Sequence, residues 1–161
     1  ACCVSPAPPP QAVVLHVRDF QPDEPGHGGK EPLPLSPHTY EDLAPLWKGK
    51  PLWVVGQPHS TTSPIVRFLT AAYNATFHTG QDAYDAFCIL ARATTLVVSP
   101  QSTFSQMAAL LLPEHAAVHV PHMHTKYLTL HMPSWTYHTI DHDGHIMLSE
   151  GGSAVAETDD E

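Results

Sequence analysis

Arg18 and the pair Ser102-Thr103 are the residues of this chain whose types and positions best suit the binding of a phosphate. Arg18 ends an apolar run, and a guanidinium at the end of a strand can bind a phosphate through two parallel hydrogen bonds. Ser102 and Thr103 open a segment with apolar residues at helical spacing, and the first N–H groups of a helix attract anions. The two positions would form a two-sided diphosphate clamp if their strands are neighbours in the sheet.

Both positions also have a structural interpretation. Arg18 could form an ion pair with Asp19, Asp23 or Glu24, which follow it closely in the sequence. Ser102 could simply cap its own helix, because a serine at this position accepts a hydrogen bond from an N–H group of the first turn. The residues alone leave these alternatives open.

The elements that would position these residues alternate along the chain. Short apolar runs predict strands at 13–18, 52–56, 75–78, 96–98 and 116–120, and helical spacing predicts helices at 36–47, 63–73, 82–92 and 102–112. This alternation predicts an α/β fold, a doubly wound, Rossmann-like parallel sheet of about five strands with helices on both faces. Residues 127–132 and 135–140 are compatible with either strands or loops.

Polar residues stand at the carboxyl ends of the predicted strands. They are His16, Arg18, Gly56-Gln57, His78-Thr79 and the segment 99–104. Ligands of a doubly wound sheet bind beyond these ends, where the helices begin. Because a purely structural domain has no need to gather polar groups at one edge, we expect this edge to bind a ligand.

The 161 residues are expected to form one domain. Residues 1–11 are predicted to be a disordered, proline-rich lead, 12–147 the domain itself, and 148–161 a disordered acidic tail. Residues 19–34, which are rich in proline and glycine, are predicted to form a long loop. The proline-rich start without an initiator methionine suggests a piece of a longer protein.

The charge balance argues against nucleic acid as a partner. Lysine and arginine together number 7 against 16 acidic residues, a formal net charge of -9. A general binder of the phosphate backbone would work against this negative field. The sequence also contains no run of about 20 apolar residues, so it predicts no membrane span.

The three cysteines are too few to predict a disulfide framework. Cys2 and Cys3 are adjacent in the predicted disordered lead, and Cys88 is predicted to be a small core residue in a helix. Asn74 begins a glycosylation sequon, which hints at a secretory route.

Histidines are unusually frequent, with 13 in the chain. Seven of them cluster between residues 119 and 145: His119, His122, His124, His131, His138, His142 and His145. Imidazoles are common ligands of zinc and copper, so a metal-binding protein is one alternative. No helical histidine pair with an intervening acid occurs, however, and no metal site is predicted.

Four motifs, in order, resemble the nucleotide-binding half of the fucosyltransferase-like glycosyltransferases. They are His16-Val17-Arg18, the helical segment 85–93, the strand end 96–99 and the segment 102–105, while 135–138 resembles a terminal aromatic motif more weakly. The resemblance implies the carboxyl-terminal half of a GT-B architecture, which holds GDP-fucose as donor without a metal or other cofactor. It also implies residence in the secretory pathway, in the Golgi.

The resemblance assigns a role to each matching position. Arg18 would hold the β-phosphate and stabilise the departing GDP, which makes it the candidate catalytic residue. His16 would read the guanine together with an acid, for which Asp85 is chosen and Asp82 is the alternative. The residues expected to bind the donor around its diphosphate are Ser99, Ser102, Thr103 and Phe104.

The chain departs from the family pattern directly after the arginine. Asp19-Phe20 and a proline-rich loop stand where relatives continue with a basic or small residue and then Gly-Asp. The resemblance also places the acceptor site and any general base in an amino-terminal half that this chain does not contain. The expected function is sugar transfer from a nucleoside diphosphate to a glycan or protein hydroxyl. The alternative is a non-catalytic domain that binds a nucleotide sugar or a glycan.

Overall fold

The computed structural model describes residues 3–18, 35–99, 102–123 and 131–147, and the predicted long loop 19–34 and acidic tail 148–161 lie outside this part of the chain. The described residues form a six-stranded, all-parallel sheet in the order β3-β2-β1-β4-β5-β6. The strands are β1 (Val13–His16), β2 (Leu52–Val55), β3 (Thr76–His78), β4 (Thr95–Val97), β5 (Ala117–His122) and β6 (Thr136–Thr139). The predicted doubly wound α/β fold is confirmed.

Helices cover both faces of this sheet. They are α1 (Pro37–Leu43), α2 (Pro64–Tyr73), α3 (Ala83–Leu90) and α4 (Thr103–Leu110), with 3₁₀ turns at Ala44–Leu46 and Pro58–Thr62. Side chains alternate across a strand, so Val13 and Leu15 face a core shared with α1 and α2, whereas Val14 faces a core shared with α3 and α4. His16 and Arg18, in phase with Val14, therefore point to the side of α3 and α4.

The strand order reverses at β1. The chain runs outward from β1 to β2 and β3, then returns to β4 on the other side of β1. β1 and β4 are neighbours, with Val14 opposite Leu96 and Leu15 opposite Val97. This adjacency is the condition that the predicted diphosphate clamp requires, and it opens a crevice beyond the two strand ends.

The helix starts follow local capping chemistry. The Ser36 and Ser63 side chains accept hydrogen bonds from His38 N and Val66 N, and a proline occupies the first helical position after each serine. Asp82 caps α3 by accepting from the Asp85 N–H group at 2.8 Å. These three helix starts were all predictable from short sequence signals.

The far edge of the sheet differs from the prediction. β5 was predicted to end at Pro121, but it continues to His122, and Pro121 pairs in register with His138 of β6. Proline lacks only the N–H group, and its carbonyl can still accept a hydrogen bond from a neighbouring strand. The segment 135–140, which the sequence left undecided, supplies β6, so the sheet has six strands instead of about five.

Residues 3–11, for which the sequence predicts a disordered lead, make specific contacts with α3 and its C-terminal turn. A disulfide joins Cys3 to Cys88 of α3 across 85 residues of sequence. The Arg92 side chain donates to the Ser5 carbonyl at 2.6 Å, and the Thr94 hydroxyl donates to the Pro10 carbonyl. Cys88 is buried in α3, as predicted, but it is also disulfide-bonded, which the sequence did not predict because it gives no sign that the chain start returns to this helix.

Candidate functional site

A cleft of about 680 Å³ opens at the carboxyl ends of β1, β2 and β3, against the start of α4. Its lining comprises His16, Arg18, Val55, Gly56, Gln57, Pro58, Thr79, Gly80, Gln81, Asp82, Ala83, Ala86, Ser102, Thr103 and Phe104. Its volume is within the range of sites that enclose a small organic ligand. Five of the seven residues predicted to bind the donor therefore line one cleft, and the other two, Ser99 and Asp85, lie behind it.

His16, the last residue of β1, is a neutral imidazole in this cleft. Its side chain is 5% exposed and its ring lies 5.6 Å from the Phe104 ring, centroid to centroid. Burial, with a smaller contribution from the positive charge of Arg18, lowers the pKa of His16 to about 3. Among the described residues its Nδ1 atom has no hydrogen-bond partner. His16 thus contributes a buried, neutral ring to the lining and adds no charge there.

Acidification should therefore destabilise the fold through His16. An unfolded histidine binds a proton below pH 6.5, whereas folded His16 does so only near pH 3. Stability is fully present above pH 6.5 and falls as the pH drops, by about 1.4 kcal/mol per pH unit for one such group. Denaturant unfolding at pH 6, 5 and 4 should show a shallower decline for His16→Gln than for the wild type. Parallel pH profiles for the two proteins would contradict the buried neutral state.

Arg18 follows the end of β1 and is held there through its backbone. Its N–H group donates to the Ser99 hydroxyl at 3.2 Å, which ties the exit of β1 to the exit of β4. The side chain is partly buried and lines the cleft. Its position beside the start of α4 agrees with the predicted clamp. The alternative acidic partners Asp19, Asp23 and Glu24 lie outside the described residues.

The first residues of α4 line the cleft, and the backbone N–H groups at this end of the helix make no hydrogen bond within the helix. Ser102, its N-cap residue, makes no side-chain capping hydrogen bond, so the capping interpretation of this hydroxyl is wrong. The first backbone bond of the helix runs from Gln106 N to Ser102 O, which leaves the N–H groups of Thr103, Phe104 and Ser105 ahead of the helical ladder. These groups and the helix dipole favour a negative charge at this place.

Ser99 does not line the cleft but makes hydrogen bonds to residues beside it. It is buried, its hydroxyl accepts from Arg18 N, and its own N–H group donates to the Ser105 hydroxyl at 3.2 Å. Ser105, completely buried, also donates to the Ser102 carbonyl. The predicted ligand-binding role of Ser99 thus becomes a positioning role, because its polar atoms hold together the two segments that form the clamp.

Asp85 also lies outside the lining, contrary to the prediction that it contacts the base. Its carboxylate accepts hydrogen bonds from Val4 N, Ser5 N, the Ser5 hydroxyl and Gln81 N. These bonds, chiefly those from Ser5, lower the pKa of Asp85 to about 2. The alternative, Asp82, does line the cleft, but its Oδ1 is engaged in capping α3. Asp85 therefore fastens the chain start to the wall of the cleft.

The bonds to Asp85 predict a second loss of stability at low pH. Because the pKa of Asp85 is about 2 in the folded chain and 3.8 when unperturbed, its contribution is present above pH 4 and is lost between about pH 4 and pH 2. Asp85→Asn should be less stable than the wild type at pH 7, and the difference should shrink as the pH approaches 2. Chemical unfolding across this range measures it, and a difference that does not depend on pH would refute the role of the carboxylate.

The loop after β3 forms a wall of the cleft that the sequence predicts only through Thr79 and the alternative acid Asp82. Gly80 has a φ of +68°, and a Cβ atom there would lie 2.5 Å from Ala86 N, so only glycine fits. Gln81, Asp82 and Ala83 follow along the cleft. The available signal was the sequence Thr79-Gly80, a turn directly after a strand end.

The histidines of β5 and β6 form a separate cluster. His119 Nδ1 lies 3.0 Å from His138 Nε2, and burial lowers the pKa of both rings, that of His119 to about 4. His122 packs edge-on against Tyr137. Within the described ranges, no group of three or more His, Cys, Asp or Glu side chains is arranged to hold a metal ion. A single hydrogen bond between neutral rings accounts for the close histidine pair.

Comparisons with known proteins add no assignment. No protein-family model, curated protein or solved structure matches the chain. Among the described residues, every helix is too short or too polar to cross a bilayer.

Proposed function

We propose that the cleft binds a nucleoside diphosphate sugar and that the chain is the donor-binding part of a glycosyltransferase. The observation that carries this proposal is the meeting of Arg18 and the α4 start across the β1–β4 crevice. Arg18 and the first residues of α4 line the same cleft, and a guanidinium and the N–H groups of a helix start both bind phosphate oxygens well. The resemblance of the motifs to fucosyltransferase-like enzymes makes GDP-fucose the proposed donor.

The same groups would assist sugar transfer. When the acceptor hydroxyl oxygen bonds to the anomeric carbon, the bond from that carbon to the β-phosphate oxygen breaks and negative charge builds up on the diphosphate. Arg18 and the first N–H groups of α4 would stabilise this charge where it develops. In this proposal the guanidinium supplies the positive charge, so the reaction is metal-independent. The acceptor, a glycan or protein hydroxyl, would be positioned by a separate half of the enzyme.

A non-catalytic binding domain is the second candidate. One observation favours it: of the described residues that line the cleft, Asp82 alone carries a carboxylate, and it is already capping α3. His16 is neutral and buried, and its low pKa makes it a weak base. Such a domain would bind the same donor through the same clamp, but it would not turn it over.

The Cys3–Cys88 disulfide supports a proposed secretory, Golgi location. Structural disulfides persist in oxidising compartments and are rare in the cytosol. Asn74, the sequon asparagine, is exposed at the end of α2, where an attached glycan would not collide with the core.

Calorimetry with GDP, GDP-fucose and inorganic phosphate tests the proposal. We expect both nucleotides to bind at one site per chain and phosphate to compete only weakly. Release of GDP from GDP-fucose in the presence of glycan acceptors would identify an enzyme, whereas binding without release would identify the non-catalytic domain. An absence of GDP binding would overturn both.

A further inference from the structure

Asp85 joins two parts of the chain, the segment 3–11 and the loop that leads from β3 into α3. Its Oδ1 atom accepts hydrogen bonds from Val4 N and Ser5 N, at 2.9 and 2.8 Å. Its Oδ2 atom accepts from the Ser5 hydroxyl and from Gln81 N, the latter at 3.0 Å. Three of these four donors belong to the segment 3–11, and the fourth belongs to the wall of the cleft.

The bond to Gln81 N orders part of the cleft wall. Gln81 lies between Gly80 and Asp82, and all three residues line the cleft. Asp85 is the third residue of α3, a position from which a side chain can reach back to the backbone that precedes the helix. A loop that is ordered before the ligand arrives lowers the conformational entropy that binding costs. The wall is therefore preformed as long as the Asp85 carboxylate keeps its orientation.

The segment 3–11 fixes this orientation, and the disulfide fixes the segment. Cys3 is bonded to Cys88, which lies three residues after Asp85 on α3. The donors of the next two residues are thus held near the carboxylate by a covalent bond, which gives them a high effective concentration there. The Ser5 carbonyl in turn accepts from the Arg92 side chain at 2.6 Å.

The body of α3 is held in place by other contacts. Ala86, Ile89 and Leu90 are buried in the core that α3 shares with the sheet. Opening the disulfide should therefore leave the helix in place and release the segment 3–11. A carboxylate that loses the donors of this segment can turn to water, so its bond to the cleft wall weakens.

We propose that the segment 3–11 is a positioning element of the cleft, and that the Cys3–Cys88 disulfide, acting through Asp85, keeps the Gln81 wall ready for the nucleotide. Reduction by a dithiol adds two electrons and two protons to the disulfide and leaves two thiols, while the dithiol closes to a cyclic disulfide. The reduced chain then binds the nucleotide more weakly. This inference rests on the proposed function, since the affinity it concerns is that for a nucleotide.

The first test is titration with GDP at a temperature well below the thermal transition of every form. It compares the oxidised wild type, the wild type in dithiothreitol, Cys3→Ala and Ser5→Ala. We expect reduction and Cys3→Ala each to lower the affinity about tenfold, the cost of ordering about one backbone residue. Ser5→Ala keeps the disulfide and both backbone donors, and should lower it about threefold. Dithiothreitol should have no further effect on Cys3→Ala.

Thr94→Val is the matched control. The Thr94 hydroxyl donates to the Pro10 carbonyl, so this variant weakens the attachment of the same segment at its other end. It should lose stability but bind GDP like the wild type. A loss of affinity as large as that of Cys3→Ala would show that the segment acts only through overall stability, and would overturn the inference.

Hydrogen exchange of the Gln81 amide tests the wall without a nucleotide. This exposed N–H group donates to Asp85, so it should exchange several-fold faster after reduction. The His38 amide is also exposed and also donates to a side-chain oxygen at a helix start, that of Ser36, but it lies outside the cleft. Its exchange rate should not change.

The two measurements separate this inference from the proposed function. Equal GDP affinities of the oxidised and reduced wild type overturn the inference and leave the proposed function intact. An oxidised wild type that does not bind GDP overturns the proposed function and the effect on affinity together. A Gln81 exchange rate that is unchanged by reduction overturns the inference whether or not GDP binds. Should Cys3→Ala fail to fold, Ser5→Ala, which keeps the disulfide, still decides the question.

Discussion

Replacing Arg18 with alanine should weaken GDP binding by about 10- to 150-fold. This range corresponds to about 1.5–3 kcal/mol, the usual contribution of a hydrogen bond to a charged group. The effect is expected to be large because Arg18 and the start of α4 line the same cleft. Isothermal titration of the wild type and the variant with GDP measures it directly.

Two further variants make this experiment specific. Arg18→Lys keeps the charge but loses the planar guanidinium that can make two parallel hydrogen bonds. Its affinity for GDP should therefore fall between those of the wild type and Arg18→Ala. Arg67→Ala removes an exposed arginine from α2, outside the cleft lining, and should leave binding unchanged. If Arg18→Ala binds GDP as tightly as the wild type, the clamp does not exist.

Removing the Cys3–Cys88 disulfide should lower the free energy of unfolding by about 2–4 kcal/mol. The bond closes a loop that spans most of the domain, and opening it releases the unfolded chain from this constraint. For a chain of this size the melting temperature should fall by roughly 5–15 °C. Cys3→Ala and Cys88→Ala should each show the loss, and so should the wild type in a reducing agent.

The matched control is the neighbouring cysteine. Cys2→Ala changes the same kind of residue one position away, and we expect no change in stability. Added reductant should then destabilise Cys2→Ala as much as the wild type, and should have no further effect on Cys88→Ala. A wild type whose melting temperature is the same with and without reductant would rule out a structural role for the bond.

The part of the fold predicted from sequence is the part set by local signals. Ser-Pro pairs mark the starts of α1 and α2, and short continuous apolar runs mark the strands that lie buried in the sheet. β6 was left undecided because its residues are polar on the exposed sheet edge and resemble a loop until they pair with β5. No local pattern shows that residues 3–11 return to α3, since these contacts join positions 80 or more residues apart.

The candidate site was also predicted in part, because only some of its residues stand at a recognisable strand end or helix start. Arg18 and Ser102 could be found because each stands at the end or start of a recognisable element, and the β1–β4 neighbourhood then brings them together. Asp85 was predicted to contact the base, but a carboxylate near a helix start fits a ligand and a distant backbone equally well, and here it accepts hydrogen bonds from the backbone of residues 4 and 5. The wall formed after β3 was predicted only through Thr79 and Asp82, since Gln81 and Ala83 have no distinctive chemistry.

The hydrogen bonds of Ser99 have a consequence for the rate at which the cleft could release a ligand. Hydrogen bonds already join Arg18 N to Ser99 and Ser99 to Ser105, so an anion bound as proposed would meet a site that need not be ordered first. Binding would then cost little conformational entropy, and differences in affinity among anions should come mainly from differences in their dissociation rates.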